Sequence, residues 1–176
     1  MIENLLARLF FRVRYRSRPL ATNVRQFAAA VKAIEGLVRT TPEPVLRGRR
    51  PVPPLPGVTP VMRDWSAFMT IDHVNGVHEA MLDLIAELEA GRSPDVGDIG
   101  RFDHPDECGP EVMPRFRDLA ARVASLPQSC AFIGSGTLEH PIFGRLGGRG
   151  AFALLAFHLH IHVPHIRRSI AVNGRP

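Results

Sequence analysis

The chain has 176 residues, of which 45% are hydrophobic and 22% charged, and this suits a single domain spanning 1–176 with a core of its own. No apolar run is long enough to cross a bilayer. The opening MIENLLARLFFRVRYRSR has an early Glu3 and arginines that break its apolar stretch, so it does not read as a secretory leader and a cytoplasmic location is expected.

The net charge of +5 is uneven, with residues 1–50 carrying +8 and the remainder −3. A basic arm of this kind suits nucleic acid or anionic lipid, but no helix-turn-helix, RNP or zinc-finger signature accompanies it, which weighs against nucleic acid.

In chain order, Leu5, Leu6, Leu9, Phe10 and Val13 share one helical face on residues 2–14, a short extra helix within a basic arm over 1–22. Val24, Phe27, Ala28, Val31, Ile34 and Val38 predict a second helix over 23–39, with Asn23 as its N-cap. Seven prolines between Pro42 and Pro60 predict an extended connector over 42–60, because each proline removes a donor and restricts the residue before it. The longest pattern runs over 64–90, through Trp65, Phe68, Met69, His73, Val77, Met81, Leu84 and Leu88. Asp64 is placed to cap its start and Gly91 to end it. An irregular stretch from Arg92 to Pro114 follows. Helices over 111–125 and 149–171 complete the chain, the last introduced by Gly147 and Gly148. No strand-like alternation stands out, so the expected class is all-α, with four long helices forming a bundle.

Cys108 and Cys130 belong to no C-x-x-C pair and read as reduced thiols without a neighbouring base. The sequence has no nucleophile–His–Asp order, and the GSG at 134–136 lacks the flanking elements and Lys of a phosphate loop.

The histidines hold the chemistry. Of eight, four crowd into His158, His160, His162 and His165. On a helix, positions i, i+4 and i+7 share a face, so His158, His162 and His165 form a stripe while His160 points about 200° away from His158. Leu154, Leu155, Ile161 and Ile166 border the stripe and aim it inward. A buried imidazole pair needs partners, and a metal ion supplies one to both. His73, in mid-helix with Met69 and Val77, is the candidate third ligand, whereas His78 lies about 140° off that face. His104 and His140 fall in expected loops. The alternative is a hydrogen-bonded or solvated histidine stripe with no metal.

Two segments resemble the DinB-like family of metal-binding four-helix bundles. In WSAFMTIDHVNGVHEAMLDLI, Trp65-Ser66 precedes His73 as the family's Trp-Ser precedes a ligand histidine. In HPIFGRLGGRGAFALLAFHLHIH, the pieces His140-Pro141, Gly144 and Leu146, then His158 and His162, follow the order of its C-terminal signature. The resemblance covers about residues 59–170. It implies an up-up-down-down bundle, often a homodimer, and a divalent ion held by His73, His158 and His162. It also implies a small-molecule substrate, since activities in the family include thiol-dependent transferases and isomerases that use low-molecular-weight thiols. Many members have no known activity. The chain departs from the pattern in three places. His165 stands where a Gln is expected, as a fourth ligand or an acid/base group or simply a solvent-facing side chain at the bundle mouth. Pro164 falls inside the last helix, where a kink is expected, and Gly150 replaces a Glu-Trp pair.

Three imidazoles leave coordination positions open, the ligand count of a catalytic site, and suit zinc, nickel, copper or iron alike. The expected function is therefore a metal-dependent transferase or hydrolase, and the alternative is a non-catalytic bundle with a structural or sensory metal. Asp72 lies off the face of His73, Glu79 and Asp83 lie too far along the helix to take part, and Trp65 is expected to anchor the core rather than carry substrate.

Overall fold

The computed structural model describes residues 2–94 and 108–174. Most of the irregular stretch Arg92–Pro114, with His104, lies outside the described residues. The chain is mostly helical. Helix α1 (Ile2–Phe11) runs into a π-helical turn (Arg12–Arg16), and α2 covers Leu20–Thr40. A single turn, α3 (Glu43–Leu46), and a 3₁₀ turn (Pro60–Asp64) punctuate the proline-rich connector. The long helices α4 (Ala67–Glu89), α5 (Val112–Ser129) and α6 (Gly148–Asn173) follow, and a short hairpin, β1 (Leu138–His140) with β2 (Gly144–Leu146), precedes α6. Among the described residues no helix is long and apolar enough to cross a membrane.

α6 packs against both α4 and α2, and α5 packs against α4 and α2, so the contacts of the four long helices close a ring around one continuous apolar core. α4 is buried on nearly all sides in its first half, including Phe68, Ile71, Val74, Asn75 and His78, because α5 covers one face and α6 another. Asn75 sits in that packing and donates its side-chain amide to the Val112 carbonyl at 3.0 Å.

Several boundaries differ from the sequence expectation for local reasons. Ser66, not Asp64, caps α4: its hydroxyl accepts from the Met69 backbone N–H at 3.1 Å. Asp64 lies in the preceding 3₁₀ turn and faces Arg49 at 3.5 Å. Asn23 is not a cap either. α2 starts three residues earlier, at Leu20, and Asn23 is buried within it, donating to the Tyr15 carbonyl at 3.1 Å and tying the arm to the body. Gly91 does end α4, with φ +79°, a conformation that favours glycine. α6 continues through Pro164 to Asn173, because an exposed proline costs one backbone bond but long flanking turns hold the helix.

The apolar face expected on residues 2–14 is overturned at Leu9, Phe10 and Val13; the side chains of Leu5 and Leu6 lie outside the described ones. Leu9 (58% exposed), Phe10 (42%) and Val13 (50%) face outward, while Phe11 and Tyr15 are buried. Phe11 and Tyr15 are four residues apart and lie together on the inner side. They meet Phe157 of α6 at ring distances of 5.6 and 5.4 Å, and Phe11 meets Phe143 of the hairpin at 4.7 Å.

The two-stranded sheet was not foreseen, since three-residue strands are too short to display a period of two. It pairs Leu138 with Leu146 and His140 with Gly144. The GSG segment ahead of it lies against the end of α4. A Cβ on Gly134 would come within 2.3 Å of the Glu89 Cα, and one on Gly136 within 2.1 Å of the Arg92 carbonyl oxygen. These glycines therefore serve close packing, with Gly136 donating to the Leu88 carbonyl at 3.1 Å. Glu89 clamps the same loop, accepting from the backbone N–H groups of Ile133 and Gly134 at 3.0 and 3.2 Å. Its other carboxylate oxygen lies beside Gly148, where its negative charge complements the N-terminus of α6.

Candidate metal centre

α4 contributes His73 from its buried middle, and α6 contributes His158 and His162 from successive turns of one face. The packing of α4 on α6 brings the three together. Nε2 of His158 lies 3.1 Å from Nε2 of His73 and 3.2 Å from Nε2 of His162. One ring nitrogen from each residue falls within 4.8 Å of the other two. His73 and His162 are buried, and His158 is partly exposed.

These distances discriminate between a hydrogen-bonded stripe and a ligand set. An imidazole nitrogen carries either one proton or one lone pair, so Nε2 of His158 makes one well-directed hydrogen bond and not two. The second contact is then left with a shared, poorly directed bond at best. A cation between the three nitrogens removes the conflict. Tetrahedral ligation at 2.0–2.1 Å places ligand nitrogens about 3.3 Å apart, close to the spacing found here.

Protonation favours ligation as well. Burial pushes His158 down to about 3, helped by the neighbouring His78. His162 is lowered well below the ordinary histidine range, first by burial and then by His158, His73, His165 and His78. Both therefore stand neutral at pH 7, the form that binds metal. Among the described residues their buried Nδ1 atoms have no hydrogen-bond partner, and packing sets their ring orientation.

His165 is not solvent-facing. It is fully buried at 0% exposure, its ring 5.9 Å from that of His162, and it lies outside the three-residue cluster. Burial lowers it to about 4, and the nearby Met62 carbonyl works the other way. The outward face that a bundle mouth would require is covered by the segment around Met62, which is itself buried.

His78 was missed. It is buried, its ring 5.7 Å from His158 on one side and 5.7 Å from Phe27 on the other. Burial, then His73, pushes it to about 3. A one-sided view of α4 sets it aside, but a helix covered on several faces buries residues at every angle. The wealth of apolar residues around the whole wheel of α4 was the signal available.

The remaining candidates take structural places. Trp65 is a core residue with its ring 5.4 Å from His73. Asp72 and Glu79 flank Arg115 on the surface, and Asp83 is exposed. His140 ends β1 and is not in a loop. Its Nδ1 accepts from the backbone N–H groups of Ile142 and Phe143 at 3.0 and 3.2 Å and closes the hairpin turn. His160 is exposed and meets the Tyr15 ring at 5.9 Å, away from the cluster. Burial raises the Cys108 thiol to about 11 and also raises Cys130, so both are protonated at pH 7 and neither is an activated nucleophile. No family model matches the sequence, and no curated protein matches it.

Proposed function

We propose that the chain binds a divalent metal ion through His73, His158 and His162, in the manner of a DinB-like four-helix bundle made by α2, α4, α5 and α6. The single observation that carries this reading is the convergence of the His73 and His162 Nε2 atoms on the Nε2 of His158. The order Trp65-Ser66, His73, His140-Pro141, His158, His162 supports the family assignment.

A divalent ion in such a site supplies Lewis-acid chemistry, lowering the pKa of a bound water or thiol. The reaction classes that follow are transfer with a low-molecular-weight thiol or hydrolysis of a small molecule. The protein's part is to keep His158 and His162 neutral by burial, to pack Trp65 against His73, and to leave His158 partly exposed as the side from which a substrate approaches. His165, one turn on from His162 with its ring 5.9 Å away, is turned from solvent and is not needed as a ligand in this reading. The same reading carries a homodimer, which the mass of the protein in solution tests.

A second reading has an observation of its own. Two of the three candidate ligands are buried, as expected of a closed structural or sensory site. Elemental analysis of the purified protein tests the site itself. One equivalent per chain is expected, lost in His158→Ala and His162→Ala and kept in His160→Ala, whose ring faces away. Azide added to the cobalt-loaded protein then separates the two readings. A shifted visible spectrum marks an open coordination position, and an unchanged one marks a closed site.

A further inference from the structure

The N-terminal arm presents a second feature, independent of the metal. From Ala7 to Ile34 the chain holds six arginines and Lys32 but no acidic residue. Within Arg8–Arg18 the four-residue stripes of the helical backbone separate cleanly. Phe11 and Tyr15 face the core, and Leu9 and Val13 face directly out. Arg8, Arg12 and Arg16 run along one flank, and Phe10 and Arg14 along the other, all exposed.

The surroundings add charge of the same sign. Arg8 donates to the Ile142 carbonyl and Arg16 to the Arg145 carbonyl at 3.0 Å, while Arg149 donates to the Arg18 carbonyl at 3.2 Å. The Arg149 guanidinium is thereby drawn to the edge of the same face, while Arg145 meets the arm through its backbone. Glu139 is the nearby acid, and it pairs with Arg145 at 3.2 Å. Among the described residues Arg12 and Arg14 have no acidic partner.

We infer that this face docks onto an anionic lipid bilayer, with Leu9, Phe10 and Val13 entering the interface and the flanking arginines on lipid phosphates. An outward apolar strip bordered by basic side chains on both flanks is the geometry of a helix lying in the membrane surface, where long basic side chains reach up to the headgroups while apolar ones go down. The other occupants fit less well. Nucleic acid would pair with the arginines but leave Leu9 and Val13 against a charged backbone. A second copy of this chain would cover the apolar strip but set one arginine cluster against the other. An anionic bilayer satisfies both halves of the surface.

The anchor of the arm is firm enough to carry such docking. Phe11 and Tyr15 pack on Phe157, and Asn23 holds the Tyr15 carbonyl, so the docking face is presented by a packed element. Leu9, Val13, Arg12 and Arg14 are exposed and can be changed without disturbing the core, whereas the half-exposed Phe10 also packs its ring on Tyr15 and Phe157 at 6.2 and 6.0 Å.

Co-sedimentation with vesicles tests the inference on the full chain. The vesicles are phosphatidylcholine alone, or equal parts of phosphatidylcholine and phosphatidylglycerol. Binding is expected only to the anionic vesicles and is expected to weaken as salt rises. Arg12→Gln and Arg14→Gln should each weaken it about fivefold. The double change Leu9→Ser with Val13→Ser should weaken it roughly tenfold or more at unchanged charge. Circular dichroism should show all variants folded.

Three results would overturn the inference. One is equal binding to neutral vesicles. Another is vesicle binding that ignores the Leu9/Val13 change. The third is no binding to the anionic vesicles, and retention of duplex DNA, or self-association that the Leu9/Val13 change abolishes, would then name the other occupant.

Discussion

Among the described residues the histidine cluster and the arginine arm are both concentrations of titratable side chains, and they handle water in opposite ways. Between α4 and α6, imidazoles are stripped of water, held neutral and crowded until their nitrogens need a shared partner. On the arm, guanidinium groups stay in water, and the apolar side chains beside them stay wet as well. Each departs from ordinary folding economy. Buried polar groups are normally hydrogen-bonded, and exposed apolar side chains are normally scattered singly. The comparison teaches that the informative positions are those where solvent exposure and side-chain chemistry disagree, whichever direction the disagreement takes.

The largest expected effect breaks the histidine side of the comparison by acid. The folded-state values of about 3 for His78 and His158 and about 4 for His165, with His162 lowered too, all lie below the ordinary histidine value. Below about pH 6.5 the unfolded chain takes up protons that the native chain refuses. Stability is therefore whole above that pH and falls as pH drops toward 4, by about 1.4 kcal/mol per pH unit for each such group. Bound zinc, which requires neutral imidazoles, makes the loss steeper. Denaturant midpoints measured from pH 7.5 downward check this. A midpoint constant to pH 5 would show that the imidazoles reach water.

Much of the architecture behind this prediction was legible in the sequence. The helical period over 64–90 and 149–171 located α4 and α6 to within a few residues, because long helices repeat their apolar pattern many times. The i, i+4 spacing placed His158 and His162 on one inward face. Choosing His73 over His78 was harder. Angular reasoning works for a helix with one wet side, and α4 has little wet surface, so His78 entered the core unannounced. Short features were the other blind spot. The hairpin before α6 depends on contacts across a turn, and the cap of α4 depends on whether Asp64 or Ser66 reaches a free N–H, which neighbouring residues cannot decide. On the arm, the burial of Phe11 in place of Leu9 follows from its docking on Phe143 and Phe157, partners more than a hundred residues away.

A smaller effect sharpens the boundary between the two regions. Asn23→Ala removes the buried bond to the Tyr15 carbonyl and should cost about 1–2 kcal/mol by denaturant unfolding. Hydrogen exchange should then quicken in residues 12–18 while α4 and α6 keep their protection. Uniform quickening would mean that the arm and the core open as one unit. The smallest effect is a control on the surface. Arg115 bridges Asp72 and Glu79 in water, so Arg115→Ala should change stability by no more than about 0.5 kcal/mol and leave metal content untouched.

The central claim is that three imidazoles from two helices share one ion. X-ray absorption of the zinc-loaded protein addresses it directly. The account predicts a first shell containing three imidazole nitrogens at about 2.0–2.1 Å, reduced in His158→Ala. A shell of oxygen or sulfur without histidine, or a spectrum that His158→Ala leaves unchanged, would contradict it.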